Sequence, residues 1–147
     1  MADNPHKRPV SILVVVATPG GDVLMLERAQ PREFWQSVTG SLDWDEAPEA
    51  AARRELFEET GIEAGARLEA CAIRNHFPIV AAWRHRYAPG DQINREHVFR
   101  ILLENPSAVR LNPEEHLGYK WLPRNEAALL ASSWTNRIAV LSLVPAG

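Results

Sequence analysis

Between Gly40 and Ile62 the chain reads GSLDWDEAPEAAARRELFEETGI, and seven of these 23 residues are acidic. Three of them, Glu55, Glu58 and Glu59, fall within five positions. The stretch from 47 to 60 is rich in Ala, Glu, Arg and Leu, with Pro48 suited to a first helical turn and Gly61 to the position just past the end. On a helix, residues three and four apart are neighbours, so the three carboxylates share a face and repel by roughly a few tenths of a kcal/mol per pair. None is followed four residues later by Lys or Arg, so the usual ladder of compensating ion pairs is missing. A Glu-rich helix is most often a solvated face. Clustered carboxylates without counter-charges are also what a hard divalent cation needs, because Mg²⁺ takes octahedral oxygen donors and keeps some water. Ala52, Leu56 and Ile62 offer an apolar stripe by which such a helix can pack while its acidic side converges elsewhere.

A cation held by carboxylates suggests an anionic ligand, which also needs positive side chains. The net charge of −3 gives no general attraction to nucleic acid or to anionic membranes, so local groups must supply it. Arg28 ends a strand before a loop, an ordinary place for a solvated charge. In RHRYAPG, strand alternation places Arg84 and Arg86 on one side and His85 and Tyr87 on the other. Such a guanidinium pair either clasps phosphate oxygens or guards an edge strand. Trp35 is either core or a flat stacking partner for a fused ring. Glu114 and Glu115, with Glu96 and Glu104 behind them, are carboxylates outside the helix that could take a proton. The five histidines are scattered without zinc-ligand spacing, and none is assigned a role.

The elements that must position these groups are short. Strands are predicted at Val10 to Ala17, Val23 to Arg28, Trp35 to Gly40, Leu68 to Asn75, Ala81 to Tyr87, His97 to Glu104 and over HLGYKWLP from His116. Thr18 to Asp22 is a turn that makes the first two a hairpin, and APGDQIN reads as a connection. Helices are predicted from 47 to 60, from Pro123 to Ala131 and from Trp134 to Val144. Val10 to Ala17 is continuously apolar, the mark of a strand covered on both faces. The mixed order argues for an α+β domain, a mixed sheet flanked by helices, spanning residues 1–147 as one unit. VSILVVVA is eight residues long, too short to cross a bilayer. The single Cys71 cannot form an internal disulfide, and a cytoplasmic location is expected.

Gly40, Glu46, Arg54, Glu55, Leu56, Glu58, Glu59, Gly61 and Ile62 fit the pattern G-x5-E-x7-R-E-U-x-E-E-x-G-U, with U aliphatic, at every fixed position. The chain therefore resembles the Nudix hydrolase family. The resemblance implies an α/β/α sandwich, dependence on Mg²⁺ with Mn²⁺ as a substitute, and hydrolysis of a phosphoanhydride in a nucleoside diphosphate-like substrate. It implies that Glu55, Glu58, Glu59 and the Gly40 carbonyl hold metal, and that Glu46 and Arg54 pair structurally. Further stretches, KRPVSILVVV, VLMLER, FWQSVTGS, RHRYAPG, EHLGYKWL and SWTNR, resemble one branch in shared order, the bacterial dihydroneopterin triphosphate diphosphatases of folate synthesis. That branch implies Glu115 as metal ligand or base, and Lys7, Arg28, Trp35, Arg84, Arg86 and Tyr87 as substrate contacts. It implies a small-molecule partner, a pterin or nucleoside triphosphate, with no nucleic acid or membrane and a monomeric or weakly associating chain. A broad (d)NTP diphosphatase of house-cleaning type is the alternative within the family. A silent nucleotide sensor fits poorly, because every glutamate of the pattern is present.

Overall fold

The computed structural model describes residues 4–146. Strand β1 (Val10–Ala17) is its axis. It runs parallel to β6 (Ile93–Leu102), in register from Val10↔Arg95 to Ala17↔Leu102. Its other edge pairs with β4 (Val38–Ser41) from Ser11↔Ser41 to Val14↔Val38. Strand β2 (Asp22–Arg28) meets β1 only at Ala17↔Val23, then diverges to pair with β7 (His116–Pro123) on one edge and β3 (Trp35–Gln36) on the other. Strand β5 (Leu68–Pro78) closes the far side against β6. The seven strands form one mixed sheet.

Helix α1 (Pro48–Thr60) covers one face, and α2 (Arg124–Leu130) and α3 (Trp134–Leu143) cover the other. Alternation along β1 explains both layers. Ile12, Val14 and Val16 pack with Ala51, Ala52 and Leu56 of α1. Leu13, Val15 and Ala17 pack with Ala127, Ala128, Ala139 and Val140 of α2 and α3. A strand buried on both faces must be apolar throughout, as VSILVVVA is. The result is the expected α/β/α sandwich. No helix among the described residues is long and apolar enough to cross a membrane.

Three local expectations need correction. Ala81–Arg86 is not a strand but a 3-10 helix, closed by hydrogen bonds from Trp83 N–H to Val80 O and from Tyr87 N–H to Arg84 O. Strand β5 already pairs directly with β6, so this segment belongs to the loop between them. Strand β6 starts at Ile93, four residues earlier than its composition suggests, because pairing with β1 and β5 overrides the turn-like sequence. The stretch Trp35 to Gly40 is split at Ser37, whose N–H and hydroxyl are both engaged by the Asn136 side chain.

Candidate active site

Helix α1 begins with Pro48 in its first turn and ends at Gly61, which adopts a left-handed conformation (φ 77°) and donates its N–H to Phe57 O. Leu56 anchors the helix in the core, and this fixes the phase of the glutamates around it. Glu59 is 2 % exposed, Glu55 is half-buried and Glu58 is exposed on the outer rim. The three are neighbours on the helix, yet only Glu55 and Glu59 line the adjoining cleft. Arg54 organises the entry to this helix. Its guanidinium takes both oxygens of Glu46 at 2.8 Å, Glu55 at 2.8 Å, Glu58 at 3.3 Å and the Ser41 carbonyl at 3.2 Å. Glu46 is thereby held below the ordinary carboxylate range, first through its hydrogen bonds to Arg54.

The inner pair behaves oppositely. Burial raises both Glu55 and Glu59, and for Glu59 the neighbouring carboxyls of Glu55 and Glu115 add to it. Glu59 Oε1 is buried without a hydrogen-bond partner. Beside it lies His116, also buried, with Nε2 at 3.7 Å and no partner for either ring nitrogen. Burial, then the Arg28 charge, lowers the His116 pKa to about 4. At neutral pH the ring is uncharged, so this contact is not an ion pair. No sequence signal singled out this histidine. Strand pairing of Arg28 with His116 brings it to the acids.

Opposite the acids, the half-buried Arg28 and the exposed Arg86 and Lys7 converge on the same cleft. Burial lowers Lys7 and Arg28, and Arg86 pushes each further down. None of the three forms an ion pair within hydrogen-bonding range among the described residues, so their charge is left for a ligand. Lys7 is placed by main-chain bonding: its N–H donates to Arg86 O at 2.7 Å, and it bridges to Tyr87. Tyr87 lines the cleft as well. Glu115 lies in the loop before β7, lines the cleft, and its charge acts on both Glu59 and Arg28. Glu114 also borders the cleft.

Two expected contacts are not brought together with the rest. Arg84 does not line the cleft, because in a 3-10 helix residues two apart do not share a side as they do in a strand. Trp35 packs against the second core cluster, with Lys120 Nζ 5.1 Å from its ring centre. Aromatic surface in the cleft comes instead from Phe77, Trp83, Tyr87 and Trp44.

The donor set fits a divalent cation that keeps much of its water. Among the described residues no three acidic or histidine side chains enclose a ready-made metal cage. Mg²⁺ does not need one, since it is commonly held by one or two carboxylates with water and substrate phosphates completing the shell. The orphaned Glu59 oxygen and the crowded Glu55–Glu59 pair are acids short of positive charge. A Cβ built on Gly40 would collide with the Glu55 side chain, so only glycine lets the main chain approach that carboxylate.

A mixed sheet between helices, with an acidic helix facing a basic cleft, defines a class, and the chain belongs to the Nudix family: the NUDIX domain model matches residues 7–143. Nudix hydrolases use divalent cations such as Mg²⁺. The chain is 44 % identical over 148 residues to the dihydroneopterin triphosphate diphosphatase of Escherichia coli K12, covering 98 % of this chain and 97 % of that one. It is 34 % identical to the Haemophilus influenzae protein of the same name over 139 residues, covering 92 % and 87 %. The solved E. coli dihydroneopterin triphosphate pyrophosphohydrolase superposes with a TM-score of 0.88 at 43 % identity, covering 96 % and 98 %.

Proposed function

We propose that the protein is a Mg²⁺-dependent diphosphatase, a single cytoplasmic domain that hydrolyses 7,8-dihydroneopterin triphosphate to the monophosphate and pyrophosphate. The observation that carries this reading is one cleft in which Glu55 and Glu59 face Lys7, Arg28 and Arg86. Similarity over nearly the whole chain to proteins named for that reaction supports it.

Glu55, Glu58, Glu59 and the Gly40 carbonyl would hold the cation. Once bound, it supplies charge neutralisation of the phosphate oxygens and acidification of the attacking water. Arg54 fixes the Glu55 carboxylate. Lys7, Arg28 and Arg86 bind the oxygens of the triphosphate, and the mutual repulsion that lowers Lys7 and Arg28 is relieved by that negative charge. The water oxygen bonds to phosphorus as the P–O bond of the α–β anhydride breaks. The water's proton passes to the Glu115 carboxylate, which lines the same cleft. Catalysis on this view is mostly positioning and electrostatics.

The cleft has a volume of about 1150 Å³, above the range of about 300–1,000 Å³ typical of ligand clefts. This breadth favours, as a second reading, a diphosphatase acting on several (d)NTPs. The test is kcat/KM on dihydroneopterin triphosphate, the dNTPs and nucleoside diphosphate sugars, each with Mg²⁺ and after chelation. The expected result is pyrophosphate release, greatest for the pterin and abolished without divalent ion. Full activity after exhaustive chelation, or preference for a diphosphate sugar, would refute the proposal.

A further inference from the structure

On the face of the sheet away from α1, the cleft holds polar groups that phosphate chemistry does not use. Asn94 and Glu96 alternate along β6 and face the same side as Ser11, with which Glu96 is in register. All three are buried, Glu96 at 5 % and Asn94 at 4 % exposure, and all three line the cleft. A buried carboxylate needs partners. Glu96 has the Asn75 side-chain amide, donating to Oε1 at 3.0 Å, and the Thr135 hydroxyl nearby. No Lys, Arg or His pairs with it among the described residues. Asn94 Nδ2 lies 2.8 Å from Ser11 Oγ, and its Oδ1 is buried with no partner. Whichever way that amide is turned, one polar atom is left unpaired. The same cleft is lined by the apolar and aromatic side chains of Phe77, Ile79, Trp83 and Tyr87.

A buried carboxylate with acceptor capacity to spare, beside an amide with one unpaired atom and an apolar wall, calls for a planar ligand edge rich in N–H donors. Resting on the triphosphate reading above, we propose that Glu96, helped by Asn94, is the specificity-determining residue for the ring, accepting the two adjacent N–H groups of a 2-amino-4-oxopyrimidine edge. Pterin and guanine share that edge. Its ring N–H and amino N–H are parallel and match the two oxygens of one carboxylate. Oε1 can accept a second bond beside the one from Asn75, because a carboxylate oxygen has two acceptor sites. Adenine presents a ring acceptor at the matching position, which would face the buried acid and leave it unpaired. Buried polar groups left without partners are what make a site reject an analogue strongly. Recognition therefore separates by chemistry along the cleft: cations read the phosphates and an acid reads the ring.

The test is Glu96→Gln, an isosteric change that replaces one acceptor by a donor. Two readouts are taken with wild type and variant. One is the ratio of kcat/KM for GTP over ATP with Mg²⁺. The other is equilibrium binding of guanosine, adenosine and phosphate-free dihydroneopterin by calorimetry. Wild type should bind dihydroneopterin and guanosine more tightly than adenosine. In Glu96→Gln the GTP/ATP ratio should fall by about 10- to 100-fold, the scale of a lost two-point hydrogen-bonded pair, mainly through KM. Equal losses for GTP and ATP would mean a merely structural role and overturn the proposal, as would no loss. Should Glu96→Gln fail to fold, Asn94→Ser must shift the same ratio in the same direction, and an unchanged ratio refutes the assignment. The nucleoside measurements need no turnover, so they separate failure of ring recognition from failure of the diphosphatase reading.

Discussion

Gly40→Ala tests the closest approach in the site. An added Cβ would stand 2.8 Å from Glu55 Cγ, where ordinary contact begins at 3.4 Å, and nearer still to the carboxylate. The Glu55 side chain must therefore retreat by more than about half an ångström, away from the strand that brings the Gly40 carbonyl to it. A misplacement of about 1 Å in a catalytic constellation can cost about 10²-fold in rate. Stability should change little, because alanine in a strand gains about 0.5–1 kcal/mol over glycine, against an off-rotamer cost for Glu55 of about 0.5–1.5 kcal/mol. The expected outcome is a kcat lowered by about 10²-fold, weaker Mg²⁺ binding by calorimetry, and an unchanged circular dichroism spectrum. Shortening the acid should relieve the collision, so Gly40→Ala with Glu55→Asp should lose less than the sum of the two single losses. Wild-type kcat and Mg²⁺ affinity in Gly40→Ala would show that the main chain and Glu55 do not act together.

Glu59→Gln should lower kcat by at least about 10²-fold while raising the melting temperature of the metal-free protein, since a buried, crowded acid is removed; a normal rate would return the helix to a solvated face. Glu115→Gln should reduce kcat far more than it raises KM, whereas Glu114→Gln should be nearly silent; equal small effects would exclude Glu115 as the base. Burial holds the Glu96 carboxyl above its ordinary range, against hydrogen bonds from Asn75 and Thr135. The folded state therefore keeps this proton to higher pH than the unfolded chain, and the stability so gained is lost as pH rises from about 4.5 through the folded value. Glu96→Gln should thus gain on wild type as pH rises from about 4.5 towards 7, and a pH-independent difference in denaturation midpoint would contradict it.

Most of the architecture could be read from pattern, because it follows from burial. VSILVVVA had to be central, and Pro48 and Gly61 marked the two ends of the acidic helix. The fixed spacing of Glu46 and Arg54 likewise announced an ion pair, which the structure shows with two 2.8 Å bonds. Sequence reasoning failed where long-range pairing overrules local chemistry. Asn94 and Glu96 lie in a stretch whose Pro, Gly, Asp and Asn read as a turn, and only β1 and β5 make it a strand. Arg84 and Arg86 looked equivalent under strand alternation, and 3-10 geometry separated them. Trp35 read first as core and second as a ring contact, and it packs with the core, next to the break at Ser37 that Asn136 holds from 99 residues away. His116 and Arg8 carried no signal, since their partners are distant in sequence.

Arg8 has a practical consequence. Its guanidinium pairs with no carboxylate among the described residues and instead donates to the carbonyls of Asp43, Trp44 and Glu46 at 3.1, 3.2 and 2.8 Å, while the Trp44 indole N–H donates to His6 O at 2.8 Å. The first described residues are thus laced over the loop that leads into the acidic helix, and Asn4 and Pro5 form part of the cleft rim. Asn4 and Pro5 thus stand at the mouth through which substrate must enter. An affinity tag rich in histidine would hang beside the carboxylates and compete there for divalent ions. For assays and for immobilisation on a surface, handles belong after the last helix. An amino-terminal tag should be cleaved before any metal titration is interpreted.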